Sequence, residues 1–153
     1  MATTHGTPAK IRSGDWLVVC DGRKAMILEN TGTELHPALT TREVHEAENP
    51  PTREQGTDAP GRTQQSVGAR RSSVRQTDWH DQAEKRFLDG LASRLDRAVA
   101  DGETRAIVLI ASPRALGMIR PALSGAAGKA ITAEIAKDYV NLPVDEITRR
   151  VTG

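Results

Sequence analysis

The chain has 153 residues, 37% hydrophobic and 3% aromatic, so one domain with a core of Val, Ile, Leu and Ala is expected. Its formal net charge of +1 excludes a global attraction to nucleic acid or membrane, so any such contact must be local. The single cysteine, Cys20, excludes an internal disulfide, MATTHGTPAKIRSGD lacks a signal-peptide core, and no apolar run is long enough to cross a bilayer; a cytoplasmic protein without a membrane partner is expected.

Residues 1–13 read as a flexible N-terminus, and 14–153 as a single α/β domain. Trp16 to Cys20 and Lys24 to Glu29 are apolar, partly β-branched runs joined by Asp21-Gly22, the signature of a tight hairpin. Asn30-Thr31-Gly32 marks a second turn, and Glu34 to Val44 reads as a third strand. Pro37 within that run demotes it to the sheet edge, because proline cannot donate to a ladder.

Residues 46–77 are rich in Pro, Gly, Arg, Gln, Ser and Thr, and are expected to form a long mobile loop. Asp78 then caps a helix whose apolar positions Ala83, Phe87, Leu91, Leu95 and Val99, with Leu88 and Ala98 beside them, recur at helical spacing. Asp81, Glu84, Lys85, Asp89 and Arg97 are assigned to the opposite face, and Gly102 stops the helix. Ala106 to Ala111 is a continuous apolar run, as in a parallel strand covered on both sides. Ser112-Pro113 opens a short helix carrying Leu116, Ile119 and Leu123 on one face, and Ser124 to Gly128 reads as a small-residue loop. Lys129 to Tyr139 alternates as a strand, and Pro143 starts the last helix.

The order β-β-β-α-β-α-β-α, with hairpins joining the first three strands and a right-handed crossover to the fourth, predicts a mixed five-stranded sheet in order 3-2-1-4-5 with helices on both faces. This is the ribonuclease-H-like arrangement.

The segments Trp16–Asn30, Gly61-Arg62 with Gly68 and Arg71, and Ile107–Val151 (IVLIASPRALGMIRPAL, then EIAKDYVNLPVDEI) resemble the bacterial family called "protein required for attachment to host cells". That family in turn resembles the middle domain of archaeal and eukaryotic peptide-chain release factors. The resemblance implies a release-factor-like module with a ribosome or structured RNA as partner. In release factors a Gly-Gly-Gln loop lies between the strand meander and the long helix. Gly61-Arg62-Thr63-Gln64-Gln65-Ser66 is in the same place, and Gln65 aligns with the catalytic glutamine. Thr63-Gln64 replaces glycines that permit positive φ, so the residues do not favour peptidyl-tRNA hydrolysis.

Within residues 53–75, Arg53, Arg62, Arg70, Arg71 and Arg75 stand against Glu54 and Asp58, a local charge of +3 in a stretch of RNA-contacting composition. Arg62, Gln65, Arg70, Arg71 and Arg75 are the candidate RNA-binding residues of a non-catalytic module. The alternative is an enzyme, a hydrolase or nuclease, at the carboxyl edge of the sheet, where Asp21, Arg23, Ser112 and Arg114 are candidates for an anion or ligand site. An intracellular adaptor affecting attachment is a third reading. A two-metal nuclease needs convergent carboxylates, and the strand AIVLIAS offers none beside Asp15 and Asp21. Cys20 in an apolar strand reads as a core residue. His5, His36, His45 and His80 show no ligand spacing, so no metal or cofactor is expected. Gly125-Ala126-Ala127-Gly128-Lys129 is half a phosphate loop without the full spacing.

Overall fold

Two five-residue strands with no polar side chain, WLVVC and IVLIA, can be satisfied only inside a sheet covered on both faces, and the chain builds its fold around that pair. A computed structural model describes residues 10–47, 61–123 and 125–152, with 61–79 described as backbone. Its strands are β1 (Trp16–Cys20), β2 (Lys24–Asn30), β3 (Leu39–Glu46), β4 (Ile107–Ala111) and β5 (Ile131–Ala136). Its helices are α1 (Gly61–Ala100), α2 (Pro113–Ile119), α3 (Ala126–Ala130) and α4 (Val144–Thr152), with a 3-10 turn at Arg120–Ala122.

The five strands lie in the order β3-β2-β1-β4-β5, as the connection rules predict. The β1–β2 and β2–β3 pairs are antiparallel, and the β1–β4 and β4–β5 pairs are parallel. Alternation divides the strands between two cores. Trp16, Val18, Cys20, Ile27, Ile107 and Leu109 pack under α1, α2 and α3. Leu17, Val19, Leu28, Val108 and Ile110 pack under α4 through Ile147 and Val151.

The sequence reading departs from the structure at the edges. α1 begins at Gly61, so residues 61–77, including Arg62, Gln65, Arg70, Arg71 and Arg75, are helical and not part of a loop. No proline interrupts that stretch, and Arg, Gln and Ala are adequate helix formers that need no apolar periodicity to continue a nucleated helix. Residues 48–60, with Arg53, lie outside the described residues. The lead-in read over 1–13 ends earlier: Ile11 is buried and its carbonyl accepts from Asn30 Nδ2 at 2.8 Å. β3 starts at Leu39, so Pro37 precedes the strand, which nonetheless forms the sheet edge. The loop read over Ser124 to Gly128 contains the start of α3, and β5 begins at Ile131. A register shift pairs Ile107 with Ile131 but Val108 with Ala133, so Ile131 and Ala133 face different cores.

Polar groups fix both turn ends of the hairpin region. Asn30 is fully buried, and its side chain makes four bonds: Nδ2 donates to the carbonyls of Ile11 and Thr33, and Oδ1 accepts from the N–H groups of Gly32 and Ala38. On the α1 face, the guanidinium carbons of Arg42 and Arg94 lie 5.1 and 5.7 Å from the ring centroid of Trp16. Arg42 pairs with Glu29 and Glu103, and Arg94 with Glu43 and Glu103. The cluster ties the edge strand to the long helix. A bulge between Ile27 and Leu28 lets Arg42 and Glu43 both reach it.

Two outcomes follow from these contacts. Asn30→Ala leaves several backbone groups without partners and lowers unfolding free energy by about 2–4 kcal/mol in urea titration. Arg94 holds the carboxyls of Glu43 and Glu103 below the ordinary glutamate range through its hydrogen bonds. A carboxyl depressed on folding contributes stability above its unfolded pKa and loses it as pH falls through the folded value. Thermal unfolding midpoints therefore fall below about pH 4.3, and an Arg94→Met variant shows a shallower decline there.

Candidate functional site

Because β1 and β4 are parallel neighbours, with Cys20 paired to Ala111, their carboxyl ends open on the same edge of the sheet. The residues that follow each strand, Asp21-Gly22-Arg23 and Ser112-Pro113-Arg114, are thereby brought together. Asp21, Arg23, Ser112 and Arg114 all line one cleft of about 290 Å³, with Glu84 and Asp138 contributing from α1 and the segment after β5.

Each side chain has a local reason for its position. Asp21 Oδ1 accepts from the backbone N–H groups of Arg23 and Lys24, each at 2.8 Å, which closes the hairpin turn. Ser112 Oγ accepts from Ala115 N at 3.3 Å and caps α2, as its place before Pro113 predicts. Arg114 donates from Nε and Nη2 to Glu84 Oε1, at 3.1 and 3.0 Å, and from Nη2 to Asp81. These carboxylates, Glu84 foremost, raise the guanidinium pKa further above its ordinary value. Arg114 is therefore an anchor between α2 and α1, with its charge already answered. Arg23 is exposed and forms no ion pair among the described residues.

Glu84 and Asp138 were not legible as site residues. Glu84 reads as part of the polar face of α1, but it stands one turn before Leu88 and so points toward the end of the sheet. Its approach requires Gly22: a Cβ there would lie 2.8 Å from both Cγ and Cδ of Glu84 and 3.0 Å from its Cβ.

Other chemistry considered in the sequence is arranged differently. Asp15 and Asp21 sit at opposite ends of β1, and Asp15 Oδ2 accepts from Arg12 N at 2.9 Å. Among the described residues no three His, Cys, Asp or Glu side chains are placed to hold a metal ion. Cys20 is buried in the α1-side core, and burial, then the nearby Asp21 charge, push its thiol up to about 12, so it is held as a thiol at neutral pH. Residues Ala126 to Lys129 of the half phosphate loop are themselves part of α3, which runs directly into β5, and the N–H of Ala127 donates to Asp96 Oδ1 at 2.8 Å. A carboxylate of the protein thus occupies the position an anion would take.

The family model described as "Protein required for attachment to host cells" matches residues 16–151, from the first residue of β1 to the last turn of α4. The chain belongs to this family. No curated protein matches it. In this host-attachment family member the match takes in both the cleft and the arginine-bearing part of α1. Among the described residues, no helix is long and apolar enough to cross a membrane.

The close approach at the cleft has a measurable consequence. Gly22→Ala forces Glu84 aside, loosens its pairing with Arg114 and costs about 1–3 kcal/mol in chemical denaturation. Adding Glu84→Ala removes part of that penalty, a non-additivity that places the effect at this contact.

Proposed function

We propose that this host-attachment family protein is a non-catalytic binding module that contacts ribosomes or structured RNA through the N-terminal half of α1, with Arg62, Gln65, Arg70, Arg71 and Arg75. The observation that carries this reading is continuity. The arginines stand on the helix whose Leu88, Leu91, Leu95 and Ala98 face forms the core. Between Gly61 and Thr77 there are four arginines and no carboxylate. A helix of 40 residues is ~60 Å long, so the arginine-bearing segment continues the same element whose other end is packed on the sheet.

The release-factor likeness read in the sequence supports the same class of partner, with the fold as inherited scaffold. The helical conformation at Thr63-Gln64-Gln65 removes the flexible loop that a catalytic glutamine there needs. An intracellular, cytoplasmic site of action accords with that partner, and an effect on attachment is then indirect.

A second reading rests on the cleft, where Asp21, Arg23, Ser112 and Arg114 converge. It makes the carboxyl edge of the sheet a small-ligand or enzymatic site. Its balance of charge is unfavourable to a free anion, since Arg114 is engaged by Asp81 and Glu84.

Co-sedimentation with ribosomes from the protein's own cells, across a salt series, decides between them. The module reading expects salt-sensitive co-sedimentation, lost when Arg62, Arg70 and Arg71 become Ala and retained in Arg23→Ala. Protein that stays in the supernatant at every salt concentration overturns it.

A further inference from the structure

We infer that the second half of β3, with the groove beside it, takes an extended peptide as an additional antiparallel strand. The peptide carries a carboxylate two residues before an apolar side chain. This site is separate from the cleft and from the arginine segment of the proposed function, and does not rest on that reading.

β3 ends the sheet, and no strand of the described residues lies beyond it. The bulge opposite Ile27 and Leu28, and the paired charges of Arg42 and Glu43, blunt the first half of this edge. From Glu43 onward the ladder is regular. Glu43, Val44, His45 and Glu46 pair with Ile27, Met26, Ala25 and Lys24, and the N–H of Ala47 donates to the carbonyl of Arg23 at 2.7 Å. Antiparallel bonding alternates, so His45 and Ala47 are bonded toward β2, and the N–H and C=O groups of Val44 and Glu46 point outward. A line of alternating donors and acceptors is met in full by another peptide backbone, which decides the class of occupant.

The side chains decide its sequence. Ala25 belongs to the α1-side core and Met26 to the α4-side core, so their partners His45 and Val44 face those two sides. A peptide residue opposite His45 also turns to the α1 side. There a groove of about 340 Å³ opens between β3 and α1, lined by His45, Glu46, Arg86, Phe87, Gly90 and Leu91. Phe87 and Leu91 give it an apolar wall, and a Cβ at Gly90 would meet nothing within 4 Å, so an apolar side chain fits there. The peptide residue opposite Val44 turns to the other side, where Val44 is 51% exposed at the bare edge. Arg94, also on the groove, is answered by Glu43 and Glu103. Arg86 is exposed and forms no ion pair among the described residues. It stands two turns before Arg94, on the part of α1 that approaches Gly22 through Glu84, and so toward Ala47. A carboxylate opposite Ala47 is directed to it, and in an antiparallel peptide that residue comes two before the apolar one.

Amide NMR on the full chain tests this with a capped synthetic peptide of core Asp-Thr-Leu-Val at millimolar concentration. Binding is expected to slow amide exchange at Val44 and Glu46. The peptide N-methylated at Thr and Val loses the donors that face β3 and is expected not to bind, whereas methylation at Leu, whose N–H faces away, leaves binding in place. Gly90→Leu fills the groove; it is expected to keep or raise the thermal midpoint, since leucine is the better helix former, and to abolish binding. Arg86→Gln is expected to weaken the Asp peptide about two- to fivefold and to leave its Asn analogue unchanged. A wild type that shows no response to the Asp-Thr-Leu-Val peptide overturns the inference. So does binding that leaves exchange at Val44 and Glu46 unchanged, that survives methylation at Thr and Val, or that persists in Gly90→Leu. Equal affinity for the reversed order, Leu before Asp, overturns the assigned direction and the role of Arg86. None of these outcomes bears on ribosome co-sedimentation, so the two readings fail separately.

Discussion

The parallel pairing of β1 with β4 is the constraint from which the rest of the structure follows. Both strands are apolar at every position and buried on both faces, so each face must be covered by helices. Parallel neighbours cannot be joined by a short turn, and the connection here passes through β2, β3 and the whole of α1. The crossover lays α1 across one face. It also brings the ends of β1 and β4 to the same edge, so the cleft is a by-product of strand direction.

Covering the sheet leaves an edge to manage. β3 is mostly exposed and carries Arg42, Glu43, His45 and Glu46. Its bulge and charges disfavour pairing along its whole length with another chain. The same charges are put to structural use: Arg42 and Arg94 stack on Trp16 and share Glu103, joining strand, helix and the turn after the helix. Its Arg42–Glu103 ion pair alone joins residues 61 positions apart in the chain.

The cleft and the arginine-bearing face of α1 are physically connected. Arg114 at the start of α2 is held by Asp81 and Glu84, which sit where the core-packed part of α1 meets its N-terminal half. These two carboxylates neutralise the one cation of the cleft that is anchored by the helix. They are also withdrawn from the side of α1 on which Arg86 stands. One set of ion pairs thereby answers the charge of Arg114 in the cleft, while Arg23 in the cleft and Arg86 on the other side of the helix form no ion pair among the described residues.

The sequence by itself determined the sheet. Unbroken apolar runs, the Asp21-Gly22 turn and the alternation of strand and helix patterns are local signals, and connection rules turn them into strand order 3-2-1-4-5. It also determined that Asp21, Arg23, Ser112 and Arg114 would meet, because residues just past two parallel neighbouring strands have no other place to go. It did not reveal that residues 61–77 are helical, since a polar helix segment carries no apolar period and looks like a loop in composition. Nor did it reveal the roles of Glu84, Asp96 and Arg94, which depend on partners far along the chain. The rotation of α1 was decided only by packing. Once Leu88, Leu91 and Leu95 are committed to the sheet, Glu84 is turned to the cleft, Arg94 to the edge strand, Asp96 to the start of α3 and Arg86 to water.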